Sequence, residues 1–455
     1  METVEELQAF LADLLQPDVW GQLIARGAAW SLMREGGVLP QGAPAFGSTI
    51  ETDLIEHGFS VLRAALALRE LGKDPDLAQK AFERAANTFE ALVRNGDLTA
   101  AERGFFRAIA AAAYHLASYS AIAYSLFSDQ DADLNTTVME RVLTLLILRD
   151  FGNLRTIVQA RLRDEAIGEP GLVRGLSTGE MDADDAIQFV LNTAVCKALA
   201  FFDFALQTGD EDFLTYALVT LDIALRLADN AAVVPLWWII RLCRNLIADL
   251  WHHSLHRNLP LTPPEGGEEK YPSYRRMFID SLYGRRNAEV ELWPSQREAA
   301  LRSTDLTDDL VVALPTSAGK TRVAEIAALM TLSTGKRVLI VTPLRALSAQ
   351  TEHSFRRTFG PLGFKVSSLY GASGLSEGDE DALRSRPIVI ATPEKLDFAL
   401  RSDASLIDDV GLIVFDEGHL IGPSEREIRY EILVQRLLRR PDAHGRRIVC
   451  LSEPV

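Results

Sequence analysis

Cysteine is scarce and scattered. Cys196, Cys243 and Cys450 are the three in 455 residues, and no two form a C-x-x-C pair. This argues against a disulfide framework and against zinc or iron–sulfur ligation of the usual spacing, and it points to a reducing compartment. A secretory leader is also missing: METVEELQAF carries three glutamates and no lysine or arginine. A cytoplasmic protein is expected. Uncharged stretches long enough to span a bilayer are rare. Ala108–Phe127, AIAAAAYHLASYSAIAYSLF, is such a run. It is built of alanine, serine and tyrosine with His115, which suits close packing, so a buried helix and no membrane are expected.

Positive charge is short in one half. Of the net −16, residues 1–250 carry −15 and residues 251–455 carry −1. An acidic surface repels phosphate backbones, so the first half is not expected to grip nucleic acid. It either meets a protein partner or serves solubility, and both readings stay open.

Strand signals are missing from Met1 to about His256. DLAQKAFERAANTFEALV, TTVMERVLTLLIL, DAIQFVLNTAVCKALAFFDFAL and DFLTYALVTLDIALRLA place apolar residues at helical spacing. RNGDL and QTGDED supply breaks. Residues 1–256 are therefore read as an acidic, all-α, helical-repeat-like domain, without a dependable repeat period. His252, His253 and His256 have no cysteine or convincing carboxylate nearby in sequence and read as a helix-surface cluster. RNLPLTPPEGGEEKYPS follows, rich in proline and glycine, and residues 257–273 are read as a linker.

From residue 274 to 455 the rhythm changes. LVVAL, RVLIVTP, FKVSSLY, PIVIATP, VGLIVFDE and RRIVCLS alternate with helical segments. Strands apolar on both faces, with helices between, predict a parallel sheet covered on both sides. Ligands of such sheets bind at the carboxyl ends of strands, where the unusual residues fall. After LVVAL comes LPTSAGKT, a glycine-poor variant of the phosphate loop with Leu314 where the first glycine usually stands. Gly319 permits close backbone approach, Lys320 can reach terminal phosphates, and Thr321 can ligate magnesium. LIVFDEGH ends another strand with Asp416, fit to hold magnesium, and Glu417, fit to deprotonate a water. The pair of motifs predicts a nucleotide site with ATP and Mg2+ as cofactors.

These motifs resemble the first motor domain of a superfamily 2 DExH-box helicase, most like the Ski-type branch. LWPSQREA resembles its Q-motif region, PTSAGKT motif I, TPLRALSAQ motif Ia, ATPEKLD motif Ib and DEGH motif II, over about residues 285–452. The resemblance implies an α/β P-loop (RecA-like) domain. It implies that Gln296 reads adenine and that Pro315, Thr316, Ser317, Ala318, Gly319, Lys320 and Thr321 form the cofactor loop. Glu417, Lys320 and His419 would be catalytic, and Thr321 and Asp416 would hold the metal. Pro343 and Arg345 from motif Ia, and Thr392 and Pro393 from motif Ib, would grip nucleic-acid phosphates. Strand-to-helix junctions suit that role, and such contacts are mostly independent of sequence. Arg356, Arg357, Arg439 and Arg440 read as solvated faces.

The resemblance departs at motif III, where S-A-T is replaced by Ser452, Glu453 and Pro454. Few residues follow His419, so the second motor domain and its arginine finger are expected to lie outside these 455 residues. The expected function is the N-terminal portion of an ATP-dependent helicase, nearly inactive by itself, with DNA and RNA both open as its nucleic acid. The alternative is an ATP-gated module without motor activity that binds a protein partner through the acidic helices, in a repair or phage-defence complex.

Overall fold

The structure is a computed structural model. It describes residues 3–453 apart from 48, 128–136, 164–174, 180, 316–318, 344, 370–376, 421–423 and 441–444. The chain forms two compact units, Met1–Trp251 with Arg286–Ala288, and His252–Arg285 with Glu289–Val455.

The first unit is helical throughout its described elements. Its principal helices are α1 (Ile50–Glu70), α2 (Pro75–Asn95), α3 (Ala100–Leu116), α4 (Ala183–Thr208), α5 (Glu211–Asn230) and α6 (Val234–His253). α1 with α2, and α4 with α5, pack as hairpins. The apolar spacing of α2 buries Ala78, Phe82, Ala85, Phe89 and Leu92 along one face. Thr99 and Glu102 cap α3 reciprocally, each side chain meeting the other residue's backbone N–H. The uncharged run 108–127 is not one helix. α3 ends at Leu116, Ser118 takes a left-handed φ of 70°, and a short helix restarts at Ser120. Among the described helices, α4 is long and apolar enough to cross a membrane by length and composition. In the fold it buries Leu191, Val195, Leu199, Phe202 and Leu206. On α5, Tyr216, Val219 and Ile223 form an outward stripe, each at least half exposed.

The second unit is the expected α/β domain. Its principal elements are α7 (Tyr271–Tyr283), α8 (Pro294–Ser303), β1 (Leu310–Ala313), α9 (Lys320–Ser333), β2 (Arg337–Val341), α10 (Arg345–Phe359), β3 (Val366–Leu369), β4 (Ile388–Ala391), α11 (Pro393–Ser402), β5 (Val410–Phe415), α12 (Glu425–Leu438) and β6 (Arg447–Ser452). The six strands are parallel in the order β1-β6-β5-β2-β4-β3. β2, β4 and β5 are buried at every position, as strands covered on both faces require. One face packs Val338, Ile340, Leu412 and Val414 against α9, whose described residues are nearly all buried. The other packs Leu339, Ile413 and Phe415 with Leu396 and Leu433.

The proline-rich segment read as a linker lies wholly inside this second unit. Leu259 and Tyr271 join its core, and the Tyr271 hydroxyl donates to the Pro260 carbonyl at 2.7 Å. Proline excludes helix but not burial, so composition alone misplaces the boundary by a few residues.

Candidate nucleotide site

The strand order sets the site. β6 lies between β1, which leads into the phosphate loop, and β5, which ends at Asp416. The carboxyl ends of all three strands converge. Leu314 N–H donates to Ser452 C=O at 3.1 Å, and Gly418 N–H donates to Leu451 C=O at 2.8 Å.

Gly319 caps α9 with a left-handed φ of 82°. A Cβ there would also overlap the Gln296 side chain, so glycine is required twice over. Gln296 is buried in the first turn of α8. Its Oε1 accepts from Trp293 N–H at 3.0 Å, and its Nε2 donates to Gly319 C=O at 3.4 Å. The expected adenine reader is thus fastened to the phosphate loop. Pro315 is exposed after β1, and Thr321 is exposed in the first turn of α9. Thr316, Ser317 and Ala318 lie outside the described residues.

Lys320 is the centre of the site. Among the described residues its Nζ is buried without a hydrogen-bond partner. It lies 3.7 Å from Glu417 Oε1 and 3.9 Å from Glu453 Oε1, inside ion-pair range only. A buried ammonium left without hydrogen bonds is costly. Phosphate oxygens would satisfy it, so the lysine fits the role expected of it. Burial, and then the neighbouring Glu417 charge, push the Asp416 carboxyl up to about 6, with Lys320 opposing. A divalent cation at Asp416 would offset both causes, so this residue also suits its expected ligand. Glu417 takes a left-handed φ of 53°, uncommon for a residue with a side chain. Its Oε2 lies 3.4 Å from His419 Nδ1, and Glu453 N–H reaches the same nitrogen at 3.4 Å. The structure therefore gathers Lys320, Asp416, Glu417 and His419, and adds Glu453. The sequence marked Glu453 only as a departure from motif III; its approach to Lys320 needs the strand order.

The expected nucleic-acid residues sit along the same edge of the sheet. Pro343 follows β2 and is buried, and Arg345 opens α10. Thr392 caps α11 and is 4% exposed, with Pro393 at the first helical position. β2 and β4 are neighbours, and Thr342 N–H donates to Ala391 C=O at 3.0 Å. Two helix N-termini thus open from adjacent strand ends, an arrangement that favours anions. Arg356 is largely exposed and pairs with Glu352, as a solvated residue does. Arg440 differs: it is held by Asp408 at 2.8 Å and by Ala404 C=O at 2.6 Å.

The second unit is a parallel α/β sheet with these motifs at its strand ends, and residues 293–452 match the DEAD/DEAH box helicase family. The chain is similar to Hachiman protein HamB of Bacillus cereus, 27% identical over 371 residues that cover 81% of this chain and 31% of HamB. It is also similar to the ATP-dependent DNA helicase Hel308 of Pyrococcus abyssi, 37% identical over 156 residues, covering 34% of this chain and 21% of Hel308. The crystal structure of DUF1998 helicase MrfA aligns with a TM-score of 0.35 at 19% identity, over 43% of this chain and 30% of that one. The chain spans about a third of the length of HamB and about a fifth of that of Hel308.

Proposed function

We propose that the second unit is the first motor domain of an ATP-dependent superfamily 2 helicase of the Ski-type branch, and that the whole protein moves along or unwinds nucleic acid. DNA is favoured, because relatives of this unit carry the name DNA helicase. The observation that carries the reading is the unsatisfied Lys320 ammonium beside Asp416 and Glu417, within the family-matching segment.

The residues act as follows. Lys320 would exchange its two carboxylate neighbours for terminal phosphate oxygens. Thr321 and Asp416 would hold magnesium, which supplies charge neutralisation at the transferred phosphoryl group. Glu417 would accept the proton of the attacking water, with His419 Nδ1 orienting the carboxylate. The N–H groups opening α10 and α11 would bind one strand's phosphates without reading bases. By the same resemblance, the arginine that stabilises developing charge comes from a second motor domain, a contribution of roughly 10³–10⁵ in rate when supplied in trans. These 455 residues alone are therefore expected to bind ATP but turn it over slowly.

Calorimetry with magnesium-ATP tests the reading. Lys320→Ala should weaken binding by about 1.5–3 kcal/mol through loss of a charge-assisted phosphate contact. Unchanged affinity in that variant removes the site assignment.

A second reading concerns the helical unit, which we propose recruits a protein partner. The alignment with HamB covers 81% of the chain and so must extend well into the helices, whereas that with Hel308 covers 34%. The net −15 of residues 1–250 and the exposed stripe on α5 suit a protein surface better than a phosphate backbone. A role in repair or antiviral defence belongs to this same proposal.

A further inference from the structure

We propose that Glu453 is a further member of the phosphate site, a carboxylate that holds Lys320 until nucleotide arrives and makes the site favour the magnesium-bound form over the free one. The proposal rests on reading this site as an ATP site.

Backbone geometry delivers Glu453. It follows β6 directly, and β6 is clamped at its carboxyl end from both sides, by Leu314 N–H on Ser452 and by Gly418 N–H on Leu451. Gly418 makes the close approach possible, since a Cβ there would run into Cys450 Sγ. Glu453 N–H meets His419 Nδ1, and its carboxylate lies 3.9 Å from the buried Lys320 Nζ. The Glu453 side chain is 41% exposed, against 12% for Lys320, so it borders solvent where the lysine does not.

The charge balance then has a consequence. One ammonium faces three carboxylates, Asp416, Glu417 and Glu453. Asp416 is already assigned to the metal and Glu417 to the water, which leaves Glu453 as the carboxylate without a task in hydrolysis. A metal-free triphosphate carries far more negative charge than its magnesium complex and is repelled more strongly by the same carboxylate. Removing the Glu453 charge should therefore help free ATP more than magnesium-ATP.

The test titrates a fluorescent ATP analogue at low ionic strength, once in EDTA and once with excess magnesium, on the wild-type chain, Glu453→Gln, Glu453→Ala, Glu453→Asp and Lys320→Ala. For an exposed charge near the ligand, Glu453→Gln should tighten metal-free binding roughly 3- to 10-fold and magnesium-bound binding about 2-fold or less. Glu453→Ala should repeat the pattern, and Glu453→Asp should fall between it and wild type. A merely structural role would change both affinities alike and lower the melting temperature. Equal changes in the two conditions, or weaker binding in both, overturn the proposal while leaving the ATP site standing if Lys320→Ala still loses nucleotide. If Lys320→Ala binds as wild type does, the ATP site and the proposal fall together.

Discussion

Two buried charge clusters, one in each unit, are built in opposite ways. In the helical unit, the cluster around Glu70, Arg149 and Asp249 is rich in partners. Arg241 donates to both oxygens of Glu70, at 3.0 and 2.8 Å, and Asn245 adds a third bond at 3.0 Å. Burial alone would raise the Glu70 carboxyl, but Arg241 outweighs it and holds the group below the usual range. Arg149, 1% exposed, donates to the carbonyls of Leu146 and Ile147 and to His115, and Asp249 is held by Arg69. In the α/β unit, the strand ends hold Lys320 without a hydrogen bond among the described residues and Asp416 beside a like charge. The contrast teaches where to look for function: desolvated charge that the fold leaves unsatisfied awaits a ligand.

The comparison can be broken by substitution. The largest effect is expected at Glu325 of α9, because the α/β unit also contains a saturated network. Glu325 is 1% exposed, pairs with Arg322 at 2.5 Å, and accepts from Ser354 at 3.0 Å and Thr358 at 2.7 Å, tying α9 to α10. Glu325→Ala strands those donors and should cost about 3 kcal/mol in urea unfolding, with a loss below about 1 kcal/mol contradicting the network's role.

Asp416→Asn should act in the other direction. The folded-state carboxyl is raised to about 6, so its contribution to stability is present in acid and lost as pH rises through about 6. At pH 8 without metal or nucleotide, the Asn variant should be more stable, by on the order of 3 kcal/mol, and the difference should fade below pH 6 and vanish near pH 3. A variant that melts lower than wild type at pH 8 would show that Asp416 is held by an attraction instead.

Gly418→Ala should cost about 1–3 kcal/mol, since its Cβ overlaps Cys450 Sγ, and Cys450→Ala should restore most of that loss. Additive losses in the double variant would deny the contact. The smallest effect is assigned to the helical unit: Thr99→Ala removes one half of the α3 capping box and should cost about 1 kcal/mol, read as a shift in thermal midpoint.

Much of this was legible from residue order. The runs RVLIV, IVIA and VGLIVF became strands because each is apolar on both faces, and only a covered parallel sheet accommodates that. That Lys320, Asp416 and Glu417 would meet was legible because motifs ending strands of one parallel sheet share its carboxyl edge. Other features depend on contacts between distant segments. Tyr271 fills the second core from inside a proline-rich stretch, Gln296 packs on Gly319, and Ser118 breaks an alanine-rich helix where composition shows no breaker. Glu453 belongs with these, since its neighbours follow from β6 lying between β1 and β5.

That same strand order also sets a timetable. β2, β4 and β5 can pair with one another before residue 447 exists, but β1 is hydrogen-bonded to β6, with Leu310 against Val449 and Ala313 against Ser452. A chain emerging from the ribosome would therefore display its phosphate-loop lysine and its two acidic residues well before it could hold them together. The widest loop in the sheet closes last, and contacts this distant in sequence are slow to form. Bound nucleotide stabilises only what can bind it. If the proposed site binds ATP, the nucleotide should therefore protect the folded sheet against unfolding, while giving no help to a nascent chain that has yet to add β6.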